Sequence, residues 1–136
     1  MKRLAISLII FEIALVFVHL AVYRVMIAAF GTPPGAWSGV LAATFVLLAF
    51  TFMSSSLAVR YSRSRIAAAY YAFSAYWFGL INFLFVGALV FFAAIRVFYL
   101  FNVVSIEPAL LGAVAFGGAF LVHSYGTWKS GRGETT

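Results

Sequence analysis

The chain of 136 residues contains no cysteine, and aspartate does not occur in it. Without cysteine there is no disulfide framework, thiolate nucleophile, Cys-ligated zinc or iron–sulfur cluster. Without aspartate, a Ser–His–Asp triad, an Asp-rich magnesium or calcium loop and a binuclear phosphoesterase centre of Asp, His and Asn have nothing to be built from. Phosphate-cradling glycine loops are missing too, since the glycines lie within apolar runs or in a Pro-broken turn. Charge of either sign is scarce: 9% of the residues are Asp, Glu, Lys or Arg, against about 25% in soluble domains. That scarcity excludes a water-soluble domain.

What is present is apolar. Hydrophobic residues make up 65% of the chain, sixteen of them Phe, and the mean hydropathy is +1.10. Four apolar runs, over about residues 4–30, 38–59, 67–95 and 108–126, are each long enough to cross the hydrocarbon of a bilayer. None shows the period-2 alternation of a barrel strand, and a backbone in lipid must satisfy its own hydrogen bonds, which leaves helices. The expected fold class is therefore an all-α membrane protein: one transmembrane domain over residues 1–136, with a polar tail over 127–136. The first run begins after Lys2 and Arg3 and could be taken for a secretory signal, but Glu12 interrupts the uncharged core that such a signal needs, so an uncleaved span is expected.

The punctuation between the runs is specific. Gly31, Thr32, Pro33, Pro34 and Gly35 form an uncharged turn, because tandem prolines cannot continue a helix. Trp37 follows at a position suited to an interfacial anchor, with Tyr99, Tyr125 and Trp128 as further belt residues. Arg60 to Arg65 is a short basic loop, Arg96 to Glu107 a mixed connector, and Pro108 stands at the favoured first position of the last helix. Short connections make sequential spans antiparallel neighbours, so an up-down-up-down four-helix bundle is expected. Gly79 and Gly87 in the third span, and Ala113 and Gly117 in the fourth, are candidate sites of close helix packing.

The formal charge of +6 would raise nucleic acid as a partner in a soluble chain. In a membrane chain it reports topology. Lys2, Arg3, Arg60, Arg63, Arg65, Lys129 and Arg132 fall on one side and Arg96 alone on the other, so both termini are expected in the cytoplasm. The partner implied is the lipid bilayer, and no nucleic acid is expected. Arg24, toward the far end of the first span, can snorkel to the interface.

Three polar residues of the first span, Glu12, His19 and Tyr23, share one side of a helix, being seven and four residues apart. They open two readings: a proton or ligand pathway, or interhelical hydrogen bonds holding the bundle together. Either needs partners on other helices, and Asn82, Ser74, Tyr76 and Thr51 are candidates. A haem between His19 and His123 would need the two at similar depth, whereas the topology sets His123 nearer the cytoplasmic end; no haem, metal or other cofactor is expected.

Certain segments carry a resemblance. The first span ends in a His-x-x-x-Tyr-Arg pattern from His19 to Arg24, the third holds Ser74, Ala75, Tyr76, Trp77, Phe78 and Gly79, and the fourth exits through Tyr125, Gly126, Thr127, Trp128 and Lys129. In this the chain resembles the N-terminal membrane region of bacterial membrane-bound metallophosphoesterases of the calcineurin-like superfamily. The resemblance implies an inner-membrane anchor ahead of a soluble, metal-dependent phosphoesterase domain that begins with an Asp-x-His strand. Nothing in these 136 residues matches that strand, so no catalytic residue carries over and the chain itself is expected to catalyse nothing. Where relatives carry an acidic residue late in the third span, this sequence has Ala93 and Ala94.

Two other classes stay open: a small membrane subunit packed against a larger complex, and a proton-coupled exporter using Glu12, similar in length and in its embedded glutamate to the small multidrug resistance family. The orientation is directly testable. A cysteine introduced by Ser62→Cys should resist an impermeant thiol reagent in intact cells and react after permeabilisation; labelling in intact cells means the opposite orientation.

Overall fold

The computed structural model describes residues 2–102 and 107–133, with side chains over 6–102 and 107–131. Helices account for nearly all of it: α1 (Lys2–Phe30), α2 (Trp37–Ala49), α3 (Thr51–Tyr61), α4 (Arg65–Leu100) and α5 (Pro108–Gly133). No strand occurs among the described residues. Three helices are long and apolar enough to cross a membrane, over Ile6–Phe30, Arg65–Leu100 and Pro108–Gly131. The side chains of Lys2, Arg3 and Arg132 and the connector residues 103–106 lie outside the described residues.

The helix boundaries follow from local chemistry. Gly31 takes the left-handed conformation, φ +87°, and its N–H reaches the Ile27 carbonyl at 2.9 Å, closing α1 before the prolines. Ser64 caps α4, its hydroxyl accepting from the Ala67 N–H at 3.1 Å. At the far end α4 runs through Arg96 to Leu100, so the connector expected from Arg96 is shorter than the sequence implied. The physical reason is that Val97, Phe98, Tyr99 and Leu100 continue the apolar run. The helix stops only where Asn102 adopts φ +52°, a left-handed turn that asparagine tolerates better than most residues.

The continuous second span expected over 38–59 is broken. α2 and α3 meet at Phe50 with a bend of 42°. Phe50 donates to Leu47, three residues back, at 3.2 Å, and a run of hydroxyls follows. Thr51 bonds the Leu48 carbonyl at 2.7 Å, Ser54 the Phe50 carbonyl at 2.8 Å, and Ser55 and Ser56 the Phe52 carbonyl at 3.0 and 2.7 Å. Hydroxyls that take carbonyls from the helix ladder bend helices, and four occur here within six residues.

α4 is the hub. It packs on α1, α3 and α5, while α2 packs on α1. The core joins Val22, Val25 and Ala29 of α1 to Phe45 of α2, Ile81, Ala88 and Phe91 of α4 and Phe116 of α5. On α3 the Phe52 ring stacks on Phe78 of α4 at 4.6 Å. Most other large apolar side chains point outward: Ile9, Ile10, Ile13 and Phe17 on α1 and Val86, Leu89 and Val90 on α4 are all more than half exposed. Surfaces of that kind would associate in water, and they are at home in lipid.

Glycine sets the closest approaches. A Cβ on Gly87 would stand 2.9 Å from the Ala115 carbonyl oxygen, and one on Gly79 would stand 2.7 Å from the His123 ring. Gly112 presses α5 on α1 in the same way, with Ala29 Cβ at 2.6 Å from its ideal Cβ. Of the four expected packing residues, Gly79 and Gly87 thus lie at helix contacts. Ala113 and Gly117 are exposed, and nothing lies within 4 Å of the Gly117 position. The inward stripe of α5 is Gly112, Ala115, Phe116, Ala119 and His123; small residues recur on both flanks of this helix, so spacing alone did not choose between them. Gly87→Ala should destabilise the bundle by about 1–3 kcal/mol through overpacking against a backbone oxygen. Gly117→Ala should be neutral by the same unfolding titration in mixed micelles, and equal behaviour of the two would contradict this packing.

Candidate functional site

The inward stripe of α1 carries Glu12, Leu15, His19, Val22, Val25 and Ala29, all buried, at the three- and four-residue spacing that keeps one helix face toward its neighbours. His19 is 1% exposed and both its ring nitrogens are engaged. Trp77 Nε1–H of α4 donates to His19 Nε2 at 2.9 Å. An indole nitrogen only donates, so Nε2 is the acceptor and the ring proton sits on Nδ1, which donates to the Leu15 carbonyl at 2.8 Å. The tautomer is thereby fixed.

Phe45 of α2 closes this cluster. Its ring centroid lies 6.4 Å from His19, 5.8 Å from Tyr23 and 6.3 Å from Trp77. The Tyr23 hydroxyl donates to the Ser38 carbonyl at the start of α2, at 3.2 Å. Three helices are therefore tied by two polar contacts around one aromatic ring.

Glu12 stands apart from this arrangement. It is 9% exposed, and neither carboxyl oxygen has a hydrogen-bond partner. Removing a carboxyl group from water without pairing is costly, and no other described side-chain oxygen is left so. The partners expected for the stripe are committed elsewhere. Asn82 is exposed and gives its amide to the Phe78 carbonyl of its own helix at 2.6 Å. Ser74 and Thr51 bond the Tyr70 and Leu48 carbonyls of their own segments. Tyr76 packs on His123, ring centroids 4.8 Å apart. Asn82 is thus not brought to the Glu12, His19 and Tyr23 face. The partner that sequence reasoning missed is Trp77. Its signal was a tryptophan deep inside a span rather than at an interface, where an indole N–H must find an acceptor.

His123 is 6% exposed, lies between Tyr76 and Phe83, and leaves Nε2 unpartnered. Both histidines meet the same stretch of α4, His19 at Trp77 and His123 at Gly79. The difference in depth expected between them does not hold. Positions two apart point about 200° apart around a helix, so the body of α4 stands between the two rings. Among the described residues no group of three His, Cys, Asp or Glu side chains converges. Arg60, Arg63 and Arg65, at the α3–α4 turn, and Lys129, late in α5, are exposed.

No family model, curated protein or solved structure matches the chain. Trp77→Phe keeps the ring volume near that of the original and removes the donor to His19; it should lower unfolding stability by about 1 kcal/mol. Asn82→Ala, which breaks only a bond within one helix, should change it by less than about 0.5 kcal/mol. A Trp77→Phe protein as stable as the parent would show that the bond contributes nothing.

Proposed function

We propose that this chain is a non-catalytic membrane domain of four spans, with α2 and α3 forming one bent span, that anchors or accompanies another protein module. On this reading it is an antiparallel up-down-up-down bundle in a bacterial inner membrane, both ends cytoplasmic, and comparable to the membrane region of a metallophosphoesterase. The observation that carries it is the His19–Trp77 contact. The most deeply buried imidazole has one nitrogen given to its own helix and the other to α4, and a ring committed in both directions is a tie between helices rather than a reagent. Tyr23, bonded to Ser38, serves the same end. A role as one subunit of a larger complex fits the same features, since outward apolar faces suit either lipid or a neighbouring helix.

A second reading is favoured by one specific observation, the unpartnered carboxyl of Glu12. An ionisable group held inside a span without a partner is the usual mark of an ion or proton route, and a small proton-coupled exporter would use it so.

Glu12→Gln separates the two. With a soluble reporter fused after Thr136, parent and variant should both remain with alkali-washed membranes, and neither should move cations across reconstituted vesicles under a pH gradient. Release of the reporter from washed membranes defeats the anchor reading. Cation movement that the parent performs and Glu12→Gln abolishes establishes the exporter.

A further inference from the structure

A groove of about 440 Å³ opens on the outward flank of α1, lined by Phe17, Leu20, Ala21, Arg24 and Val25 and by Phe92 of α4. Its lining is apolar except for Arg24, which makes no hydrogen bond or ion pair among the described residues. Arg24 lies six residues before the end of α1, about 9 Å along the helix. Arg24 forms part of the groove wall, and its long stem can carry the guanidinium toward the α1–α2 turn, where headgroups lie. Phe17 lies seven residues earlier, about 10 Å further into the hydrophobic layer.

We propose that this groove is a binding site for one anionic phospholipid, in the leaflet on the side of the Gly31–Gly35 turn. The phosphodiester sits on Arg24, and an acyl chain runs inward over Leu20 and Phe17. Charge complementarity identifies the occupant. A planar guanidinium with no carboxylate to pair with is matched by a phosphate, which it can hold through two parallel hydrogen bonds. No acidic side chain lines the groove, so nothing receives the amine of a zwitterionic headgroup, and a headgroup of net negative charge is preferred. The polarity of the groove agrees, with its single charge toward the end of α1 and its apolar lining extending inward, as a lipid's own head and tail do.

The test is native mass spectrometry of the full chain in mild detergent, titrated with phosphatidylglycerol and, separately, phosphatidylcholine of the same acyl chains. The parent should retain one phosphatidylglycerol about fivefold more tightly than phosphatidylcholine, the ratio expected for one basic residue at an anionic lipid. Arg24→Gln should erase that preference, and Ala21→Trp, which fills the groove and keeps the charge, should lower retention of both lipids. Arg63→Gln, in the exposed basic loop, should leave the preference intact. Circular dichroism and thermal unfolding of each variant must match the parent, and a second substitution, Arg24→Met, takes the place of Arg24→Gln if that variant misfolds. A preference that survives loss of Arg24, or that disappears in Arg63→Gln alone, overturns the site; so does equal binding of the two lipids by the parent.

Discussion

Lipid gives no reward for pressing one apolar helix against another, because the acyl chains it displaces are as apolar as leucine. Cohesion in this molecule must come from contacts that lipid cannot imitate. There are two kinds: close approach of backbones where a side chain is missing, and hydrogen bonds between groups that would be left bare in hydrocarbon. Most of both kinds fall on α4. Gly79 and Gly87 let α5 lie against it, Trp77 holds α1 through His19, and Ser54 joins Tyr70 across the α3 contact at 2.6 Å. Apart from α4, α1 alone makes such contacts with two helices, through Gly112 of α5 at Ala29 and through the Tyr23–Ser38 bond to α2.

That dependence explains which parts of the architecture could be read in the sequence. Hydropathy reports the solvent, and here it located the apolar runs around Leu4, Ser38, Ile66 and Pro108 because lipid demands length and little else. Turns were equally legible, since Pro33 and Pro34 cannot continue a helix and Gly31 and Gly35 can take the positive φ that other residues avoid. The bend at Phe50 was not. Thr51, Ser54, Ser55 and Ser56 are visible as a polar run, but whether their hydroxyls turn to their own carbonyls or across to a neighbour depends on tertiary packing.

The polar stripe shows the same division. Helical spacing sets Glu12 and His19 on one side of α1, because periodicity is a property of one helix, and both are buried. Partners are a property of two, and register between helices is not written in either. Trp77 therefore took the place that Asn82, Ser74, Tyr76 or Thr51 had been expected to fill. Gly112 was not legible for a related reason: α5 carries small residues on several flanks, Ala113 and Gly117 among them, and only contact with Ala29 and Phe30 singles Gly112 out.

The break between α2 and α3 gives the fold a mechanical property. Upstream of Phe50 the segment rests on α1, through Phe45 and the Tyr23–Ser38 bond; downstream it rests on α4, through Phe52 and Tyr70. One short stretch of chain thus grips two neighbouring helices at different points along its own length. A straight helix in that position would allow those neighbours to slide lengthwise past each other, as rods do in a sleeve. The angled one acts as a cleat: sliding of α1 along α4 would have to straighten the kink or loosen one of its two grips, so the bend opposes that displacement.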